Sequence, residues 1–152
     1  MARAPLTRDQ FAWTPPRVAV GYDDGVIGRG RLDNKIARLV SQALRDAREG
    51  GMSRSEVARR MGAFLGRSVS ESMLAKWSSE ASEDHRIPLD AFVGLVEATG
   101  AKELLGFLPG LFGLTVIEAE YAELIEERLL EDHIEELLAR KQALASRRKA
   151  KR

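Results

Sequence analysis

Apolar residues recur at helical spacing in six stretches of the chain, and this pattern predicts an all-α protein. The first predicted helix starts at Asp33 and ends at Gly50–Gly51. Its apolar face comprises Ile36, Leu39, Val40, Ala43, Leu44 and Ala47. A helix that Pro88 initiates is predicted to continue to Gly100, and a Leu-rich fifth helix follows over residues 101–107.

Two short helices with clear start signals lie in the middle of the chain. Ser53 is followed three residues later by Glu56, which is the spacing of a capping box. Ser70 caps a second predicted helix, residues 70–82, whose apolar stripe is Met73, Leu74 and Trp77. We expect Trp77 to belong to the core. Two capped helices with a glycine-containing connection are typical of a helix-turn-helix, so we expect binding to duplex DNA.

Residues 1–32 are predicted to be a flexible basic arm, because prolines and glycines interrupt any helical pattern there. Its basic residues are Arg3, Arg8, Arg17, Arg29 and Arg31. A DNA-contacting arm and a disordered tail with incidental arginines are both consistent with this composition.

The C-terminal part, residues 115–152, is predicted to be a long amphipathic helix that follows a short extended link or strand at 115–117. Its charge is segregated, with nine acids in residues 118–138 and seven bases in residues 139–152. A broken heptad makes 118–146 a candidate for homodimerisation. The acidic part is also a candidate for binding a protein partner. The basic tail is consistent with added DNA affinity, with a solubilising helix end, or with pairing to the acids of a neighbour.

Composition narrows the class of protein further. The chain has 152 residues, no cysteine and a formal net charge of +1. Without cysteine there are no disulfides or thiolate zinc sites, and no apolar run is long enough to span a membrane. We therefore expect a cytoplasmic protein. His85 and His133 have no neighbouring ligand or nucleophile pattern, so we expect no enzymatic activity, no cofactor and no metal.

Together these helices resemble the five-helix DNA-binding domain of lambda-type repressors and Cro proteins. The resemblance spans about residues 36–108. It is carried by three segments, SEVARRMG (Glu56, Ala58, Gly62), VSESMLAKW (Val69, Ser70, Leu74, Trp77) and IPLDAFVGLVEATG. One departure is a longer connection between Gly62 and Val69. It predicts that the preceding helix continues through Phe64 and Leu65 and buries both.

The resemblance implies which residues contact DNA. In such proteins the recognition helix enters the major groove, so Glu71, Ser72, Lys76 and Ser79 would occupy base-reading positions. Ser53 and Arg54 begin the preceding helix, where free amides suit a phosphate. Further phosphate contacts are expected from Arg59, Arg60 and Arg67.

The predicted organisation is thus an arm at 1–32, a helix-turn-helix domain at 33–114 and a C-terminal helix at 115–152. The WTPP segment and acidic C-terminal helix also resemble small DNA-binding proteins of Mu-like transposable phages. A phage or prophage transcriptional regulator, acting on DNA in the bacterial host cell, is the function this implies. Two alternatives are an accessory factor in phage transposition or packaging, and an adaptor that binds protein through its acidic helix.

Overall fold

The computed structural model describes residues 17–152, so the predictions for residues 1–16 lie outside the described residues. The helices are α1 (Asp24–Ile27), α2 (Leu32–Glu49), α3 (Arg54–Leu65), α4 (Glu71–Trp77), α5 (Leu89–Thr99), α6 (Phe107–Gly110) and α7 (Ala122–Ala150). The strands β1 (Ala19–Val20) and β2 (Val116–Ile117) pair, and 3-10 helices span Lys102–Gly106 and Ala119–Tyr121. Helix predominates, which confirms the all-α class.

The described chain divides into two compact units. One is Ala19–Val116, and the other consists of residues 117–152 together with residues 17 and 18. The first unit has an aliphatic core, to which α2, α3, α4 and α5 all contribute. The largest fully buried side chains are Leu39, Val40, Val57, Met61, Leu74, Leu95 and Leu104. Burial of one such side chain stabilises the folded state by roughly 1.5–3 kcal/mol, so this cluster is the main stabilising feature of the unit.

Helix α2 follows the prediction closely. It begins at Leu32, one residue before the predicted start, and its predicted apolar face turns towards the core. Leu39, Val40, Ala43 and Leu44 are buried, whereas Ile36 and Ala47 at the two ends of the face are half-buried. After the helix, Gly51 adopts a φ of +89°, a conformation that side chains disfavour.

The N-terminal segment differs from the predicted flexible arm, because residues from Ala19 onward belong to the first compact unit. Tyr22, Val26 and Ile27 are half-buried against the core, and the Tyr22 hydroxyl donates to Asp46 Oδ2 at 3.0 Å. The prediction of a flexible arm was wrong for residues 19–32. The glycines there separate short elements that pack against the core.

The fifth helix was predicted over residues 101–107. The structure instead has a 3-10 helix there, followed by the single α-helical turn α6. Pro109 lies in the first turn of α6, where the missing amide costs no hydrogen bond because the first amides of a helix need no acceptor. Gly106, at the junction, lies against β1, where a Cβ would overlap the carbonyl oxygen of Val20. This close approach accounts for a glycine at that position.

The C-terminal unit consists mainly of α7, a helix of 29 residues with no buried residue. Its large apolar side chains, all exposed, are Leu124, Ile125, Leu129, Leu130, Ile134, Leu137, Leu138 and Leu144. They are not confined to one face over its whole length, and the amphipathic character of this helix stays a prediction. No helix in residues 17–152 combines the length and apolar content needed to cross a membrane.

Candidate nucleic-acid interface

Both α3 and α4 begin at the serine caps that the sequence predicts. Ser53 Oγ accepts from the amide of Glu56 at 3.2 Å, and Ser70 Oγ accepts from the amide of Met73 at 3.1 Å. Each cap satisfies one amide that would otherwise lack a partner at a helix N-terminus. The two contacts set where α3 and α4 start.

The connection between α3 and α4 consists of five residues, Gly66 to Ser70. Helix α3 continues through Leu65, as predicted, and ends at Gly66, whose φ of +68° is left-handed. Leu65 is half-buried and packs on Gly94 of α5. Phe64 is 51% exposed, so the prediction of its burial was wrong. The two residues are successive on a helix, and only Leu65 points towards α5.

Buried side chains hold α4 against the unit. Leu74 is fully buried and Trp77 is 7% exposed, which confirms the prediction that Trp77 is a core residue. They share one core cluster with Val57 and Met61 of α3. Because Leu74 and Trp77 occupy one side of a helix of only seven residues, the opposite side of α4 is left to the solvent.

Three of the predicted base-reading residues lie on that outer side. Glu71, Ser72 and Lys76 are exposed, and with Ala75 they span roughly 140° of the helix circumference. Ala75 lies between Glu71 and Ser72 on this surface and was missed in the sequence, because small apolar residues carry no chemical signal. We call Glu71, Ser72, Ala75 and Lys76 the outer face of α4.

Ser79 does not belong to this face. The predicted helix 70–82 was too long, because α4 ends at Trp77. Ser78 Oγ donates to the carbonyl of Ala75 at 3.1 Å, and the carbonyl of Ser79 accepts from Arg86 Nη1 at 3.2 Å. Ser79 is half-buried and lies outside the helix. The sequence signal that was misread is the serine run after Trp77, which is typical of a helix end.

Two of the predicted phosphate-binding residues, Arg59 and Arg60, are paired within α3. Arg59 donates from Nε and Nη2 to the Glu56 carboxylate at 2.9 and 2.7 Å, and Arg60 Nε donates at 2.8 Å. The hydrogen bonds from Arg59 and then Arg60 lower the pKa of Glu56 to about 2. This trio, Glu56 with Arg59 and Arg60, keeps one net positive charge on the exposed side of α3.

Arg67 has a different environment from the other predicted phosphate contacts. Its Nη2 donates to Asp90 Oδ2 at 3.1 Å, which links the connection to the first turn of α5 and lowers the pKa of Asp90. Arg59 and Arg67 both line an open groove of about 450 Å³ beside α3. Arg54, the first residue of α3, is exposed and forms no ion pair with any residue that the structure describes.

Sequence reasoning missed the residue that fixes the segment after α4. Arg86 Nη2 donates to Asp33 Oδ2 at 3.0 Å and to Asn34 Oδ1 at 3.2 Å, at the start of α2. It also reaches the carbonyls of Ser79 and Glu80. Its sequence context, SSEASEDHRI, resembles an ordinary polar loop, and nothing in it indicates a contact more than fifty residues away.

In residues 17–152 no three histidine or carboxylate side chains come together in a way that would hold a metal ion. No protein-family model, curated protein or solved structure matches the chain.

Proposed function

We propose that this protein binds duplex DNA, with α3 and α4 acting as a helix-turn-helix in a five-helix, repressor-like domain. The observation that carries the proposal is the outer face of α4, which is polar, exposed and fixed from behind by buried Leu74 and Trp77. A rigid helix with one polar side is what the major groove, about 12 Å wide, admits.

The side chains of this face match the chemistry of base edges. Lys76 can donate to guanine O6 and N7, and Glu71 can accept from the cytosine amino group. Ser72 can serve as donor or acceptor. Ala75, between them, suits the methyl group of thymine. Glu71 also opposes binding wherever no cytosine satisfies its charge, because phosphates repel it. The face therefore favours specific over non-specific sites.

Phosphate contacts would come from the start of α3. Its first amides point out of a helix of twelve residues, and Arg54 offers an exposed guanidinium without an ion-pair partner in the described chain. Arg59, Arg60 and Arg67 are already paired with carboxylates, but exposed pairs of this kind are weak. A phosphate can therefore compete for them, and Arg54 is expected to contribute most.

In a bacterial cell these properties suit a phage or prophage transcriptional regulator in the cytoplasm. An accessory factor in transposition or packaging would use the same face. A second candidate function, a non-enzymatic adaptor that binds a protein partner, draws support from the eight exposed apolar side chains of α7. Salt-dependent DNA binding separates the adaptor from the two DNA-binding roles, and transcription from a nearby promoter separates those two from each other.

The test is fluorescence anisotropy with random and genomic duplexes over a salt series. Arg54→Ala should weaken binding to every duplex and reduce the log–log salt slope by about 0.9, the value of one phosphate contact. Lys76→Ala should lose discrimination between sequences, on the order of 1–3 kcal/mol for the best site. Arg45→Ala, which removes the same charge from an exposed position on α2, is the matched control.

The proposal predicts unchanged binding for Arg45→Ala. Absence of binding to any duplex at low salt would refute it. Equal losses for Arg45→Ala and Arg54→Ala would show that only overall charge matters, and would also exclude α3 and α4 as the specific surface.

A further inference from the structure

The charges of α7 are arranged so that one copy complements another only when the two run in opposite directions. Counting the residues that flank α7, residues 118–138 carry nine acids and one base, Arg128, whereas residues 139–152 carry seven bases and no acid. Arg128 is already satisfied within the helix by Glu131 at 3.3 Å and Asp132 at 2.9 Å. None of the seven bases pairs with an acid anywhere in the described chain.

The exposed apolar residues of α7 are also arranged in a way that bears on how two copies could pair. Six of the eight fall on three adjacent heptad positions: Leu130, Leu137 and Leu144 at d, Ile134 at a, and Leu124 and Leu138 at e. We call these six residues the seam. Charged residues occupy the remaining a positions, with Glu127 before the centre and Lys141 and Arg148 after it.

A parallel pair of such helices would be repulsive. It would place each charged a residue opposite its own copy, so that Glu127 would face Glu127 and Lys141 would face Lys141. Glu126 at g would also face Glu131 at e of the second chain. Like charges in direct contact are destabilising, and a parallel pair would contain such a contact at every charged a position.

An antiparallel pair removes the conflict. With Ile134 of one helix opposite Leu137 of the other, Glu123 lies opposite Arg148, and Glu126 approaches Arg147 across the g positions. Each contact occurs twice because the pair is symmetric. The centre of the pair is apolar, and both of its ends join an acidic segment to a basic one.

We propose that α7 binds a second copy of this chain as an antiparallel helix pair centred between Glu135 and Glu136, acidic half against basic half. Such a partner complements the charge of the helix at both ends of the pair, where acidic residues of one copy lie along basic residues of the other. The inference is independent of DNA binding by α3 and α4, so either can fail without the other.

The experiment uses the full chain with one introduced cysteine, which is unique because the protein contains none. Spin labels go on Ala122, Glu135 or Ala150, all exposed and outside the seam. At 1.5 Å per residue, an antiparallel pair predicts distances of about 40 Å for the two end positions. The central position should give less than about 20 Å, because paired helices are only 8–10 Å apart.

Three short distances would indicate a parallel pair and overturn the proposal. So would a protein that stays monomeric in sedimentation equilibrium at the concentrations used for labelling. A monomer would instead favour a different protein partner, or the helix's own dipole, as the reason for the segregated charge.

Charge variants give an independent readout of orientation. Glu126→Arg places an arginine against Arg147 in the antiparallel pair and should raise the dimer Kd on the order of tenfold. In a parallel pair the same change would face Glu131 and tighten the dimer. Adding Arg147→Glu to Glu126→Arg should restore wild-type affinity, which no general loss of helix stability would do. Failure of the double variant to recover would refute the predicted register.

Discussion

Gly62 of α3 lies so close to the connection that a Cβ on it would stand 3.0 Å from the carbonyl oxygen of Arg67. The amide nitrogen of Val69 would be 3.6 Å away. The side chain of Arg67 is held by its ion pair with Asp90. The backbone between α3 and α4 is therefore confined between a glycine and α5, and this confinement determines how α4 is presented.

Gly62→Ala tests this confinement. The added methyl group meets a backbone oxygen that has little room to move, so we expect a loss of about 1–3 kcal/mol in the free energy of unfolding, as in other overpacked sites. Urea denaturation followed by circular dichroism measures it. Gly110→Ala is the control, because a Cβ there meets nothing within 4 Å and should leave stability nearly unchanged. Equal stability of the two variants would contradict the close approach.

Leu74→Ala tests how much the packing of α4 contributes to the stability of the fold. Leu74 is fully buried, so its truncation is expected to cost about 2–5 kcal/mol. Leu89→Ala on α5 makes the same chemical change at a side chain that is 75% exposed, and should cost much less. Thermal unfolding of the two variants under one condition gives the comparison. Similar melting temperatures would mean that α4 does not pack on α3 as described.

The Glu56 cluster predicts a pH dependence of stability. Because the pKa of Glu56 falls from an ordinary value of 4.5 to about 2 on folding, its stabilising effect is complete above pH 4.5. That effect is lost as the pH falls towards 2. The stability difference between wild type and Glu56→Gln should therefore shrink over this interval. Urea midpoints at pH 7, 5, 4 and 3 measure it, with Glu49→Gln as the charge-matched control. A difference that is constant with pH would be inconsistent with the pairing to Arg59 and Arg60.

Glu56→Gln, which is expected to lower stability, should strengthen DNA binding. Glu56→Gln releases Arg59 and Arg60 and adds one positive charge to the proposed phosphate-binding surface. We expect several-fold tighter binding at low salt and a smaller gain at high salt, because added salt screens exposed charges. Anisotropy titrations with one duplex measure it. Glu97→Gln on α5 changes the charge equally and controls for net charge; an identical gain there would show that the Glu56 cluster is not involved.

Truncation after Ile117 should leave the first unit folded, because the compact unit Ala19–Val116 contains its own core. Truncation after Leu114 removes β2, the pairing partner of β1, and should lower the melting temperature relative to the longer fragment. Circular dichroism melts of the two fragments measure this. If the fragment ending at Ile117 were unfolded, α7 would be needed for the stability of the first unit.

The sequence by itself determined the features that depend on neighbouring residues. Ser53 and Ser70 mark the helix starts because a cap involves residues only three positions apart. The apolar face of α2 and the burial of Trp77 follow from helical periodicity. The composition of Glu, Leu, Ala and Arg in α7 predicts a long helix for the same local reason.

Only the tertiary structure decided the features that depend on distant residues. Arg86 ties the segment after α4 to Asp33, and this segment includes Ser79, which was predicted to lie on the recognition helix. The packing of β1 on Gly106 draws residues 19–32 into the compact unit. The pairing of Arg67 with Asp90 engages a residue expected to bind phosphate. In each case the partner lies more than twenty residues away. A local sequence pattern cannot predict such a contact, because it contains no information about which distant groups the fold brings together.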